Sequence, residues 1–212
     1  MVMTPGIRKF ALTAHVMSSV GWLGAVAAFL ALALTGLTSA DASRVRSAYV
    51  AMELTGWAII VPLSLASPLT GLIQSLGTTW GLFRHYWVLI KLVITVPATA
   101  LLLLHMQPVG HLARVVADTT LAQGELAGLR IQLVADAAAA ILVLLVATTL
   151  SIYKPRGLTP YGRRKQGEEN GSVAERQSAG GTAWGRYVVF AILGLVLLVI
   201  VIHLVGGGLH GH

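Results

Sequence analysis

The chain has 212 residues, of which 56% are hydrophobic and only 11% charged, against roughly 25% charged in an ordinary soluble domain. With a mean hydropathy of +0.78, a soluble fold of this size could not hide so much apolar surface, whereas a bilayer removes the need to hide it. The net charge of +7 falls in short connections without an aromatic-basic motif. It therefore points to membrane topology and anionic headgroups and not to nucleic acid, and the absence of cysteine excludes disulfides, iron–sulfur clusters and thiolate metal sites.

The first 37 residues, MVMTPGIRKFALTAHVMSSVGWLGAVAAFLALALTGL, combine a basic flank with an apolar run. The run is too long for a signal-peptide core and has no evident cleavage site, so it predicts a retained first span near 11–38. Four further segments meet the requirement of roughly 20 mostly apolar residues per span, near 48–75, 87–107, 132–152 and 186–205. Residues 153–185, YKPRGLTPYGRRKQGEENGSVAERQSAGGTAWG, are polar, charged and rich in glycine. Such a stretch buries too little apolar area to offset its ordering entropy, so it reads as a disordered linker.

The expected fold is all-α: an integral membrane four-helix bundle over 8–152, a basic cytoplasmic linker over 153–185, a fifth transmembrane helix over 186–205 and a Gly/His-rich external tail over 206–212. With five spans, eleven basic residues share one side: Arg8, Lys9, Arg84, Lys91, Lys154, Arg156, Arg163, Arg164, Lys165, Arg176 and Arg186. Only Arg44, Arg46, Arg114 and Arg130 lie on the other. This bias places the N-terminus in the cytoplasm and the C-terminus outside.

Polar groups at membrane depth are costly and are functional hypotheses by default. In the first span His15, Ser19, Trp22 and Val26 share one helical face, and Gly21, Gly24 and Ala25 would admit a close neighbour. The second span carries Glu53, Trp57, Ser64, Ser67, Gly71 and Gln74 on one stripe, with Pro62 and Pro68 breaking its backbone ladder and predicting a kink. The third places Lys91, Thr95, Ala98, Leu102 and His105 on one face. Sorted by depth, His15, His85 and Lys91 form an inner group, and Glu53, His105, Asp136 and His203 an outer one.

Each has a plain reading beside the chemical one. His15 lies about one turn inside its span, where an imidazole can snorkel; it also suits haem iron or a proton. Lys91 is either an interfacial anchor or a contact for a haem propionate. Glu53 and Asp136 either pair with arginines at the outer boundary or serve, with His105, a proton relay or a hard-metal site. Met52 and Met106, beside Glu53 and His105, would suit copper.

Two stretches carry a resemblance. HVMSSVGWLGAVAAF has a histidine followed after seven residues by tryptophan and then glycine (His15, Trp22, Gly24), and HYWVLIKLVITVPATALLLLH has Trp87, Lys91, Leu92 and His105. Over residues 8–160 the chain resembles the group of small bacterial membrane proteins that includes CopD-like and HemJ-like proteins, and LTGLIQSLGTTWGLFRHYW and YKPRGLTPYG look most like its actinobacterial branch. The resemblance implies a four-helix bundle able to hold haem b, with His15 as a ligand and Lys91, His85 and Trp22 near the site. His105 departs from that pattern, lying fourteen residues after Lys91, about 21 Å along a helix.

Three functions are therefore expected of such a chain. The first is haem b or metal binding, copper included, for electron transfer or haem/copper handling. The second is proton or metal-ion translocation through Glu53, Asp136 and His105. The third is a non-catalytic accessory or scaffold role in the lipid bilayer, with a membrane-protein partner or as a homo-oligomer. No nucleophile triad, P-loop or dinucleotide fingerprint is present to assign soluble-enzyme chemistry.

Overall fold

The computed structural model describes residues 3–77, 81–118, 127–153 and 157–170. Within α4 and α6, defined below, the side chains of 105, 107–108, 111–118 and 168–170 lie outside that description. The expected fifth helix, its His203 and the tail histidines also lie outside the described residues.

The described chain is helical almost throughout. Helix α1 runs Pro5–Thr38 and α2 Ala42–Thr55. A π-helical turn, Gly56–Ile60, leads without a break into α3, Val61–Gly77. Helix α4 spans Tyr86–Asp118, α5 Ala127–Tyr153 and α6 Pro160–Asn170. Four stretches are long and apolar enough to cross a membrane: Pro5–Thr38, Ala42–Gly77, Tyr86–Leu104 and Ala127–Tyr153. They coincide with the first four predicted spans. Their outward side chains are large and apolar, among them Phe10, Leu54 and Leu104, a surface that water would penalise and lipid accepts.

Hydroxyls inside these helices are satisfied locally. Thr13, Thr35 and Thr38 donate to the carbonyls of Lys9, Ala31 and Leu34, and Ser151 to Ala147, each four residues back. In lipid such back-bonding spares each hydroxyl an unsatisfied donor.

The start of α2 is fixed by its cap. Asp41 is extended, and its Oδ1 accepts from the Ser43 amide at 2.9 Å and the Ser43 hydroxyl at 2.8 Å. The hydroxyl first, then the amide, holds the Asp41 carboxyl below its ordinary value. A depressed folded value means the cap helps above the unfolded value and is lost as the pH falls through the folded one. An Asp41→Asn variant keeps the cap as a neutral amide. Its melting temperature should therefore drop less than the wild type's on acidification, and equal drops would argue against the cap.

The chain divides into two compact units. One holds His15–Pro68 and Pro97–Leu145. Its core is a cluster of Trp22, Val26, Phe29 and Ala33 from α1, Tyr49 and Met52 from α2, Met106 and Val109 from α4, and Leu133, Ala137 and Leu144 from α5. The predicted helix approach is seen at Gly21, where a Cβ would stand 3.3 Å from Leu63; at Gly24 nothing lies within 4 Å.

The other unit holds Met1–Ala14, Leu69–Val96 and the described residues from Val146 onward. Within the expected linker over 153–185, residues 171–185 lie outside the described residues, and Pro160–Asn170 form α6. Thr159 caps it: its Oγ1 accepts from the Gly162 amide at 3.0 Å, its carbonyl accepts from Arg163, and Pro160 occupies the first helical position. Thr159 also donates through its hydroxyl to the Phe83 carbonyl and through its amide to that of Arg84, and the Tyr86 amide donates to Gly157. Gly162 sits directly on the Arg84 carbonyl, where no side chain would fit.

Candidate functional site

Proline positions shape the site. Pro62 has no amide and its ring would strike the carbonyl four residues back. The ladder widens just before it, with the Val61 amide reaching Gly56 in an i→i+5 bond, a π turn of the kind that relieves such a clash. The extra residue rotates everything before it by about 100° relative to α3. The predicted single stripe is therefore broken: Ser64 and Ser67 are buried, while Trp57 is 52% exposed.

Pro68 removes the donor that the Ser64 carbonyl would otherwise find four residues on. Thr99 of α4 replaces it, its hydroxyl donating to Ser64 O at 3.2 Å. One residue before the proline, the Ser67 carbonyl lies 3.0 Å from His15 Nδ1, and the Ser67 hydroxyl pairs with that of Ser19 at 2.8 Å. The Ser18 hydroxyl donates to the His15 carbonyl at 3.1 Å. A polar seam thus joins α1, α3 and α4 around Pro68. Sequence reasoning put His15, Ser19, Ser64 and Ser67 on inward faces and passed over Thr99; the signal for it was the carbonyl that Pro68 orphans.

A carbonyl only accepts, so Nδ1 of His15 donates in this bond. Seven residues on, about 10.5 Å along α1 and on the same face, Trp22 is 2% exposed and its indole N–H is buried with no acceptor among the described residues.

The same unit holds Glu53 and Asp136. A Glu53 carboxylate oxygen lies 3.1 Å from where a Cβ on Gly110 would stand, and the Met106 sulfur packs against Gly56. Met52 and Met106 are both buried in the apolar core. Tyr49 lies beneath Arg130, whose guanidinium is 5.7 Å from the ring centre. Asp136 is half-buried on α5. Among the described residues no three His, Asp or Glu side chains converge as a metal site requires. His105 lies in α4, its side chain outside the description.

In the other unit His85 precedes α4, bridges to Leu158 and sits with its ring 6.3 Å from that of Trp87. Lys91 is half-buried in the second turn of α4. Of the predicted inner group, His15 belongs to one unit and His85 and Lys91 to the other.

No family profile, curated protein or solved structure matches this sequence.

Proposed function

We propose that the chain is a polytopic protein of the bacterial inner membrane, of CopD-like type, whose helix bundle binds haem b or a metal ion through His15 for electron transfer or haem/copper handling. The observation that carries this reading is the His15 Nδ1–H bond to the Ser67 carbonyl. Metal-ligating histidines are held by the same device, one ring nitrogen donating to a carbonyl or carboxylate while the other offers its lone pair.

The buried Trp22 N–H supports the reading, since it lacks an acceptor among the described residues and a bound group with a carboxylate would supply one. Haem would bring one-electron chemistry at its iron; the protein's part is to fix the imidazole and close the site with Trp22.

Orientation follows from charge. Among the described side chains, the unit containing the N-terminal segment carries Arg8, Lys9, Arg84, Lys91, Arg163, Arg164 and Lys165. The positive-inside rule assigns these connections, and with them the N-terminus, to the cytoplasm.

The test is the visible spectrum of the detergent-purified protein before and after dithionite, with metal analysis of the same sample. A Soret band or a bound metal is expected. His15→Ala should weaken binding by more than the roughly tenfold to hundredfold that loss of an outer hydrogen bond costs, without loss of the folded state. A colourless, metal-free protein that takes up no added haem would overturn the reading.

A further inference from the structure

Helix α6 has no place in the haem reading, yet it is firmly anchored. A chain segment of this polarity would stay in water unless something held it, and three contacts hold it. Thr159 hydrogen-bonds the Phe83 and Arg84 carbonyls, Gly157 accepts from Tyr86, and Gly162 lies on the Arg84 carbonyl. The helix is thereby fastened to the first residue of a membrane-crossing stretch, Tyr86–Leu104.

What it presents there is charge. Arg163, Arg164 and Lys165 are all exposed. At about 100° per residue, Arg164 points nearly opposite the docked Gly162, and its neighbours flank it. Beside them Tyr161 and Phe83 are 56% and 58% exposed. Aromatic rings at this level of a span, next to cations, are the composition of a headgroup boundary.

We propose that α6, with the start of α4, is a docking surface for anionic lipid headgroups at the membrane boundary. Phosphate oxygens of the headgroup would meet Arg163, Arg164 and Lys165, while Tyr161 and Phe83 reach toward the acyl boundary. The charge is uneven along α6: Arg163, Arg164 and Lys165 stand in its first half, and Glu168 and Glu169 follow near its end. Such docking requires membrane insertion and is independent of the His15 ligand.

The full-length protein, reconstituted in phosphatidylcholine bilayers, is probed with spin-labelled phosphatidylglycerol and phosphatidylcholine. The ratio of their association constants is read from the motionally restricted signal. At low salt the anionic lipid should be preferred by at least about fivefold, the value of one cation at an anionic surface, and the preference should shrink at high salt. An R163Q/R164Q/K165Q variant, all surface changes, should bring the ratio close to one. Free inorganic phosphate should not displace the labelled lipid. Gly162→Leu, which undocks α6 and leaves every charge in place, should also lower the ratio. A wild-type ratio near one, or a preference unchanged in the triple variant, overturns the proposal; neither outcome touches the haem spectrum.

Discussion

Two glycines of α1 should answer alanine substitution with opposite signs. At Gly24 an added Cβ meets nothing within 4 Å. There alanine brings only its better helix propensity, about 1 kcal/mol. At Gly36 the same atom would stand 2.6 Å from Tyr49 Cζ, 2.8 Å from its hydroxyl and 3.0 Å from Cε2. Tyr49 is 1% exposed in the core and lies beneath Arg130, so the rigid ring has nowhere to go. Overpacking of this kind costs roughly 1–3 kcal/mol, which exceeds the propensity gain. Unfolding in detergent should therefore show Gly24→Ala stabilised, Gly36→Ala destabilised and Gly36→Leu failing to fold. Tyr49→Phe should be close to neutral, because the hydroxyl it removes is buried without a partner among the described residues. A Gly36→Ala variant as stable as Gly24→Ala would remove the close contact between α1 and α2 from the account.

The four apolar helices were legible in the sequence because their signal is additive over some twenty residues, and no local detail can cancel it. The face carrying His15, Ser19 and Trp22 was legible for the same reason: α1 has no proline beyond its first position, so a strict helical period survives along it. The second span defeated that reasoning. Its stripe from Glu53 to Gln74 assumes one unbroken period, and the π turn at Gly56–Ile60 shifts the register in the middle. The prolines announced a disturbance without saying whether it would be a bend or an inserted residue. Helix α6 was missed through averaging. Over 153–185 the composition is that of a linker, yet Thr159-Pro160 is a local start signal, and its anchor is a backbone contact at Gly162 that no hydropathy scale registers. Sorting His15, His85 and Lys91 to one depth used topology alone and assumed no contact among them.

The seam around Pro68 makes a prediction that separates two magnitudes. Interhelical hydrogen bonds in membranes average about 0.6 kcal/mol, because the alternatives also find partners. A buried acceptor left with none costs about 1–3 kcal/mol. Which applies to Thr99 depends on whether the Ser64 carbonyl has another donor, and Pro68 takes away the one on its own helix. Thr99→Val, which keeps the shape and removes the hydroxyl, should therefore cost about 1–2 kcal/mol in the wild-type background. In a Pro68→Ala background the alanine amide can bond Ser64 directly, and the same Thr99→Val should cost less than about 0.5 kcal/mol. The cycle thus predicts a coupling of about 1 kcal/mol between residues 68 and 99 that share no side-chain bond. Equal costs in the two backgrounds would mean that Thr99 is an ordinary interhelical contact and that the proline does not organise the seam. Because His15 hydrogen-bonds the carbonyl just before that proline, Pro68→Ala should also shift the spectrum of any group bound at His15, whereas Thr99→Val in the wild-type background should change stability first and the spectrum less.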